Sequence, residues 1–231
     1  MIKKVLKISI IISLCFVVHA TYALENFSSF LENIYQKKES EEPLKWSAVA
    51  RETLIIYEDE DFDEFKSKTI SLKKYIFEDG DFTVDVIEED IIGDPPKFGE
   101  HGGKSGEPDD QREPFRISTS NEYSYNDYGE ITLLGKSTRK IGFKAKIRDD
   151  KHFDGQAWFE PETHNIVRMT LSYADPPKAI KYFQLDMSFK YIDQYRFTNK
   201  FHMQMSGKAL IFIHFNVEFK QALSEIEIIE E

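Results

Sequence analysis

Cysteine is all but missing from this chain: Cys15 is the only one in 231 residues. No disulfide can form within the chain, and neither a cysteine metal site nor paired thiol chemistry is available. Basic charge is also in short supply. Lys and Arg total 30 against 41 Asp and Glu, a formal net charge of −11. Nucleic acid and anionic lipid surfaces both require a basic patch, so this balance argues against either as a partner. Long apolar runs are absent after the first 23 residues. Nothing later approaches the roughly 20 apolar residues of a membrane-spanning helix.

What is present begins with "MIKKVLKISIIISLCFVVHATYA", a basic start (Lys3, Lys4, Lys7), an apolar run and the small residues Thr21 and Ala23. This pattern predicts a secretory signal peptide over residues 1–23, cleaved after about Ala23. Cys15 is flanked by Leu14 and Phe16, where lipid attachment calls for small residues, so no stable membrane anchor is expected. The expected product is periplasmic or secreted. Losing residues 1–23 removes three lysines and no acid, which makes the chain more acidic still. Residues 24–231 are expected to form one domain, long enough to bury a core without covalent staples.

After the signal, Leu24, Phe27, Leu31, Ile34 and Tyr35 recur at three- and four-residue spacings and predict one amphipathic helix before Pro43. Period-two alternation takes over in "WSAVARETLIIY", "SKTISLKKYIF" and "GDFTVDVIEEDI", which read as an antiparallel meander. Glycine, proline and acid then concentrate between Gly93 and Pro114, predicting a flexible loop over 93–114. From Phe115 the alternation resumes, for eleven or twelve candidate strands in all. A mainly β fold follows, built on a large curved antiparallel sheet or two packed sheets.

Motifs of catalysis are scarce. "GEHGGKS" resembles a phosphate-binding loop, but Phe98 stands where that motif needs its first glycine. The acidic run "EDEDFDEF" lacks the glycine and terminal glutamate of a calcium loop and reads as a solvated hairpin tip. No serine stands in a nucleophile elbow. Of the histidines after residue 23 (His101, His152, His164, His202 and His214), none pairs at a helical metal-ligand spacing. His202 and His214 could meet across adjacent strands, although a solvated sheet face is the simpler reading. No enzyme activity, metal or cofactor is expected.

The most informative stretch is "DGQAWFEPETHNIVRMTLSY", Asp154 to Tyr173. Its Glu160-Pro161-Glu162-Thr163 turn predicts a hairpin, with His164 in the left-handed conformation that closes it. Trp158 and Phe159 are neighbours, so one of these aromatics must face each side of the sheet.

The order "IGFKAKI", "GQAWFEPETHNIVRM", a long strand after "ADPP" and then "FHMQMSG" resembles the C-terminal half of the LolA-like superfamily, the exported lipoprotein carriers and stress sensors. His164 stands where glycine is usual in that turn. The resemblance implies a half-open antiparallel barrel with an N-terminal helix on or near its concave face, around a cavity for acyl chains. The partners it implies are lipid or lipoprotein acyl chains, with a cell-envelope protein as the alternative. Alternation alone puts Phe183, Leu185, Met187 and Phe189 on one side of their strand. Phe201, Met203 and Met205 follow on the next, then Ile213 and Phe215 on the last. These are the candidate cavity residues. The same alternation would serve a filled core equally well.

Overall fold

The computed structural model describes residues 27–37, 45–59, 61–78, 81–94, 112–193, 195–209 and 213–229. The signal-peptide reading and most of the 93–114 loop lie outside them. Helix α1 covers residues 27–37. The strands are β1 (Trp46–Tyr57), β2 (Phe65–Glu78), β3 (Asp81–Gly93), β4 (Tyr123–Leu133) and β5 (Lys136–Ala145). They continue as β6 (Phe153–Phe159), β7 (Ile166–Tyr173), β8 (Ile180–Ile192), β9 (Tyr195–Ala209) and β10 (Ile213–Ile228). All ten join one open sheet in the order β3-β2-β1-β10-β9-β8-β7-β6-β5-β4. Every neighbouring strand pair is antiparallel.

The strand count falls from the expected eleven or twelve to ten for local reasons. The run from Phe115 still supplies a strand, shortened to begin at Tyr123 because Ile117–Glu122 closes as a 3-10 turn. "GEITLLG" continues β4 through an irregularity between Asp127 and Glu130, where Gly129 has a φ of 76°. "LSEIEII" continues β10 past a shift at Ser224, beside Glu225 with a φ of 50°. Each irregularity adds a residue without ending the ladder, so a break in alternation was not a break in the strand.

One face of the sheet holds the core, here called the inner face. It is densest over β4 to β7, where Tyr123, Ile141, Phe143, Ala157, Phe159 and Leu171 are buried together with Phe30 and Ile34 of α1. Gly155 makes part of this possible. A Cβ there would meet the Phe143 ring at 2.7 Å and the Thr170 carbonyl at 2.0 Å, so only glycine lets the ring lie across β6. The chain re-enters from the loop through Pro114 and Phe115, both buried. The Tyr123 and Tyr125 hydroxyls donate to the Arg112 and Pro114 carbonyls and hold that return in place.

At the start of β6, His152 is buried between two carboxylates. Its Nδ1 lies 2.6 Å from Asp149 and its Nε2 2.8 Å from Glu122, so both ring nitrogens can donate when the imidazole is charged. Burial works against that charge, but the two carboxylates outweigh it and hold the His152 pKa above its usual value. Asp149 is correspondingly held below the usual carboxylate range, slight burial being overcome by His152 and backbone donors. The histidine contribution is complete below its unfolded value of 6.5 and vanishes as pH rises through the raised folded value. The aspartate contribution is complete above its unfolded value of 3.8 and vanishes as pH falls through the depressed one. This cluster therefore stabilises the fold most between about pH 4 and pH 6.5. Urea unfolding should show stability declining from pH 6 to pH 9, and His152→Gln should flatten that slope. The substitution should cost about 1–3 kcal/mol at pH 5.5. An unchanged slope would remove the assignment.

Candidate functional site

The β6–β7 hairpin is where α1 meets the sheet. His164 has a φ of 59°, the left-handed conformation expected of it, and its N–H donates to the Glu160 carbonyl at 2.9 Å. That conformation costs a non-glycine residue about 1–2 kcal/mol. The side chain provides a compensating contact: its ring lies 4.8 Å from that of Phe30 and 3.4 Å from the Asn33 amide. Lys37 donates to the Thr163 carbonyl at 3.0 Å. Phe30 also meets Phe159 edge to face at 6.2 Å and lies under the Arg139 guanidinium at 4.5 Å. The hairpin tip thus serves as the seat of the helix.

Of the two adjacent aromatics, Phe159 faces inward and Trp158 outward. On the outer face Trp158 is nevertheless buried, with Lys140 and Arg168 each 5.3 Å from its ring. Arg168 is itself fixed by a two-pronged pair with Asp186 at 2.5 and 2.9 Å. A tryptophan between two cations is a stabilising arrangement that leaves little of its surface for a partner.

Beneath α1, the inner face encloses a cavity of about 300 Å³. Its floor is Phe153, Phe159, Ile166, Met169 and Leu171 from the hairpin and Phe183, Leu185, Met187 and Phe189 from β8. Ile34 of α1 and Phe115 form the cover. Lys37, His164, Tyr191, Arg196 and Thr198 make the end towards the β6–β7 and β8–β9 turns polar, and Glu113 is the remaining charged residue of the lining. Burial and the nearby Lys37 and Arg139 hold His164 below its usual pKa.

The nine candidate residues from the sequence divide between two places. Phe183, Leu185, Met187 and Phe189 line the cavity. Met205, Met203 and Phe201 stand directly opposite the first three of these on β9, on the same face and half-buried, beside the cavity lining. Phe215 is one strand further, half-buried on β10, and Ile213 opens that strand opposite Ala209. In the hairpin half of the lining, alternation puts Val167, Met169 and Leu171 on one face, and a bulge changes the first of these. The register shifts between Trp158 and Phe159, so Ile166, rather than Val167, shares the inner face with Met169 and Leu171. The polar end was hidden, since it depends on the far end of α1 meeting the β8–β9 turn.

The two histidines that could have met across strands stay apart. His202 lies 2.7 Å from Glu218 and pairs across the ladder with Lys220, while His214 pairs with Lys208, so the two do not face one another. Among the described residues no cluster of His, Asp and Glu has metal-site geometry.

Comparisons with protein families and with curated proteins find no match. Among solved structures, a DUF1329 family protein from Desulfovibrio piger has a TM-score of 0.41 at 11% identity, covering 87% of this chain and 92% of that one. A LolA superfamily protein from Nitrosomonas europaea has a TM-score of 0.40 at 7% identity, covering 87% and 94%. A putative outer membrane lipoprotein-sorting protein domain from Vibrio parahaemolyticus has a TM-score of 0.38 at 10% identity, covering 87% and 94%. At these scores the likeness carries no argument about ligand or activity.

Burial separates two classes of phenylalanine in this site. Phe159 is 1% exposed and meets Phe30 and Phe115, so Phe159→Ala should cost about 3–5 kcal/mol. Phe183 borders an existing space and is half-exposed, so Phe183→Ala should cost only about 1–2 kcal/mol. Urea titration of both variants checks this, and equal losses would mean the space is closed in solution.

Proposed function

We propose that this protein is an exported carrier that holds an acyl chain, or another slender hydrophobic ligand, against the inner face of its half-barrel. The observation supporting this is the cavity itself, a space walled by aromatic and methionine side chains that helix and sheet leave unfilled. Its volume stands at the lower end of the roughly 300–1,000 Å³ usual for small-molecule sites, which favours one chain at a time. Methionine adapts to a flexible chain and aromatics offer it large apolar area. Half-buried apolar residues continue across β9 and β10 and extend the surface available to a longer ligand. The signal-like first 23 residues support export, and no helix among the described residues is long and apolar enough to cross a membrane.

A neutral apolar dye such as Nile red should bind with a blue shift, and native mass spectrometry after detergent-free purification should find lipid attached. Met187→Trp should fill the space and suppress both signals while keeping the fold. A parent protein that takes neither dye nor lipid would sink the carrier reading.

The second reading is an envelope-protein docking module, and β3 favours it. This edge strand exposes Val84, Val86, Ile87, Ile91 and Ile92, a surface suited to a partner's added strand. Asp85, Glu88, Glu89 and Asp90 on the same strand disfavour a second copy and suit a basic segment. Val86→Lys should abolish such an interaction and leave dye binding intact.

A further inference from the structure

The charged lining of the cavity runs against the charge of the chain. In a protein of net charge −11, the charged or chargeable side chains bordering this space are Lys37, Arg196, His164 and Glu113. Glu113 is drawn to Arg116 at 3.1 Å, which offsets its carboxylate. The two cations converge on one tyrosine. Lys37 Nζ lies 5.6 Å from the centre of the Tyr191 ring, and Arg196 is the direct cross-strand partner of Tyr191 between β8 and β9. Directly opposite residues stand with Cβ atoms about 4.5–5.5 Å apart, so both charges border the same small volume. The depressed pKa of His164 reports the same local field, since after burial its causes are Lys37 and Arg139.

The apolar row starts where the cations end. Arg196 lies over the Phe189 ring at 5.4 Å, and Phe189, Met187, Leu185 and Phe183 then follow on alternate positions of β8. Their spacing is about 6.7 Å along the strand. Oily wall and cationic end thus form one continuous path.

We propose that the cavity takes a single-chain amphiphile with an anionic head, the chain lying along β8 and the head between Lys37 and Arg196. This rests on the carrier reading and adds to it the class of ligand. An ammonium has three donors and a guanidinium five, so each can serve a carboxylate while keeping other contacts. Charge-assisted hydrogen bonds are roughly twice as strong as neutral ones. A neutral head forgoes that gain, and a cationic head meets two like charges in a partly desolvated site, where repulsion is stronger than in water.

Calorimetric titration of the full chain with three amphiphiles of one chain length separates the possibilities: laurate, dodecanol and dodecyltrimethylammonium. Laurate should bind at least about tenfold more tightly than dodecanol, with the ammonium weakest. The Lys37→Gln/Arg196→Gln double variant should lose that tenfold advantage, the ratio of laurate to dodecanol affinity falling to about one. An equal weakening of both ligands through the lost Lys37 contact that seats α1 leaves this readout unchanged. Equal binding of laurate and dodecanol by the parent would overturn the anionic head while leaving the carrier reading in place. Loss of both ligands in the double variant would overturn it too, because the cations would then be shaping the cavity. If the parent binds none of the three, the carrier reading fails first and the inference falls with it.

Discussion

Ten strands at about 4.8 Å spacing span roughly 43 Å, whereas a helix is about 10 Å across, so α1 can cover only a fraction of the inner face. The change in burial from β4 to β8 follows from that shortfall. Where α1 sits, over β4 to β7, side chains such as Ile141 and Ala157 are wholly buried. Where it stops, at β8, apolar residues of the same alternation become half-buried and a space opens between helix and sheet. The cavity is therefore the boundary between the covered and uncovered parts of one apolar face. No special motif is needed to make it.

The uncovered part is held by a different means. In the strand ladder the three N-terminal strands meet the rest where β1 pairs with β10, and polar clusters occupy both faces of that seam. On the inner face Glu52 accepts from Lys73 at 2.7 Å, from Gln221 at 2.9 Å and from the Tyr75 hydroxyl, linking β1, β2 and β10. On the outer face Glu218 of β10 accepts from Tyr57 of β1 at 2.9 Å and contacts His202 of β9 at 2.7 Å. Both carboxylates are buried, and burial would raise their pKa values. The donors on Glu52 and, on Glu218, Lys220 at 3.0 Å with His202 and Tyr57 outweigh it and keep both below the usual range. Tyr57 responds oppositely: burial and the neighbouring Glu218 push it up to about 12, so it stays a donor at neutral pH. A buried carboxylate stripped of its donors is costly, so these clusters fix the seam's register where apolar packing is thin. They are structural assemblies, and none borders the cavity beneath α1.

How far the sequence could be read depended on distance along the chain. Alternation within β8, β9 and β10 put Phe183, Met203 and Phe215 on one face because period two is a local property. The left-handed His164 was legible from the Glu-Pro-x-Thr turn before it. Single-residue insertions were not legible: the shifts beside Phe159 and Glu225 leave composition unchanged and reverse the side on which later residues fall. Nor was the depth of a face. Glu218 alternates with apolar neighbours as a solvent-facing residue would, and Glu52 interrupts an apolar face, yet each is 5% exposed because donors from distant strands close over it. Trp158 is likewise an outward position that is buried, by Lys140 and Arg168. The cavity's polar end joins residue 37 to residues 191 and 196, a convergence that only the sheet order creates.

That convergence couples the helix to whatever fills the space beneath it. Lys37 and His164 fasten α1 to the hairpin tip through the Thr163 carbonyl, Asn33 and Phe30, and the same two side chains border the cavity. Ile34 is both a core residue and part of the cavity cover. An occupant that touches these groups adds contacts only when α1 is seated, so it must favour the seated state by its differential affinity. For an occupant at a hundred times its dissociation constant that bias is about 2.7 kcal/mol. By reciprocity, anything that loosens α1 weakens the occupant by the same amount. A helix anchored by a strained histidine and a few polar contacts, over a face it cannot fully cover, is thus an element whose docking and whose occupant, where there is one, form one equilibrium.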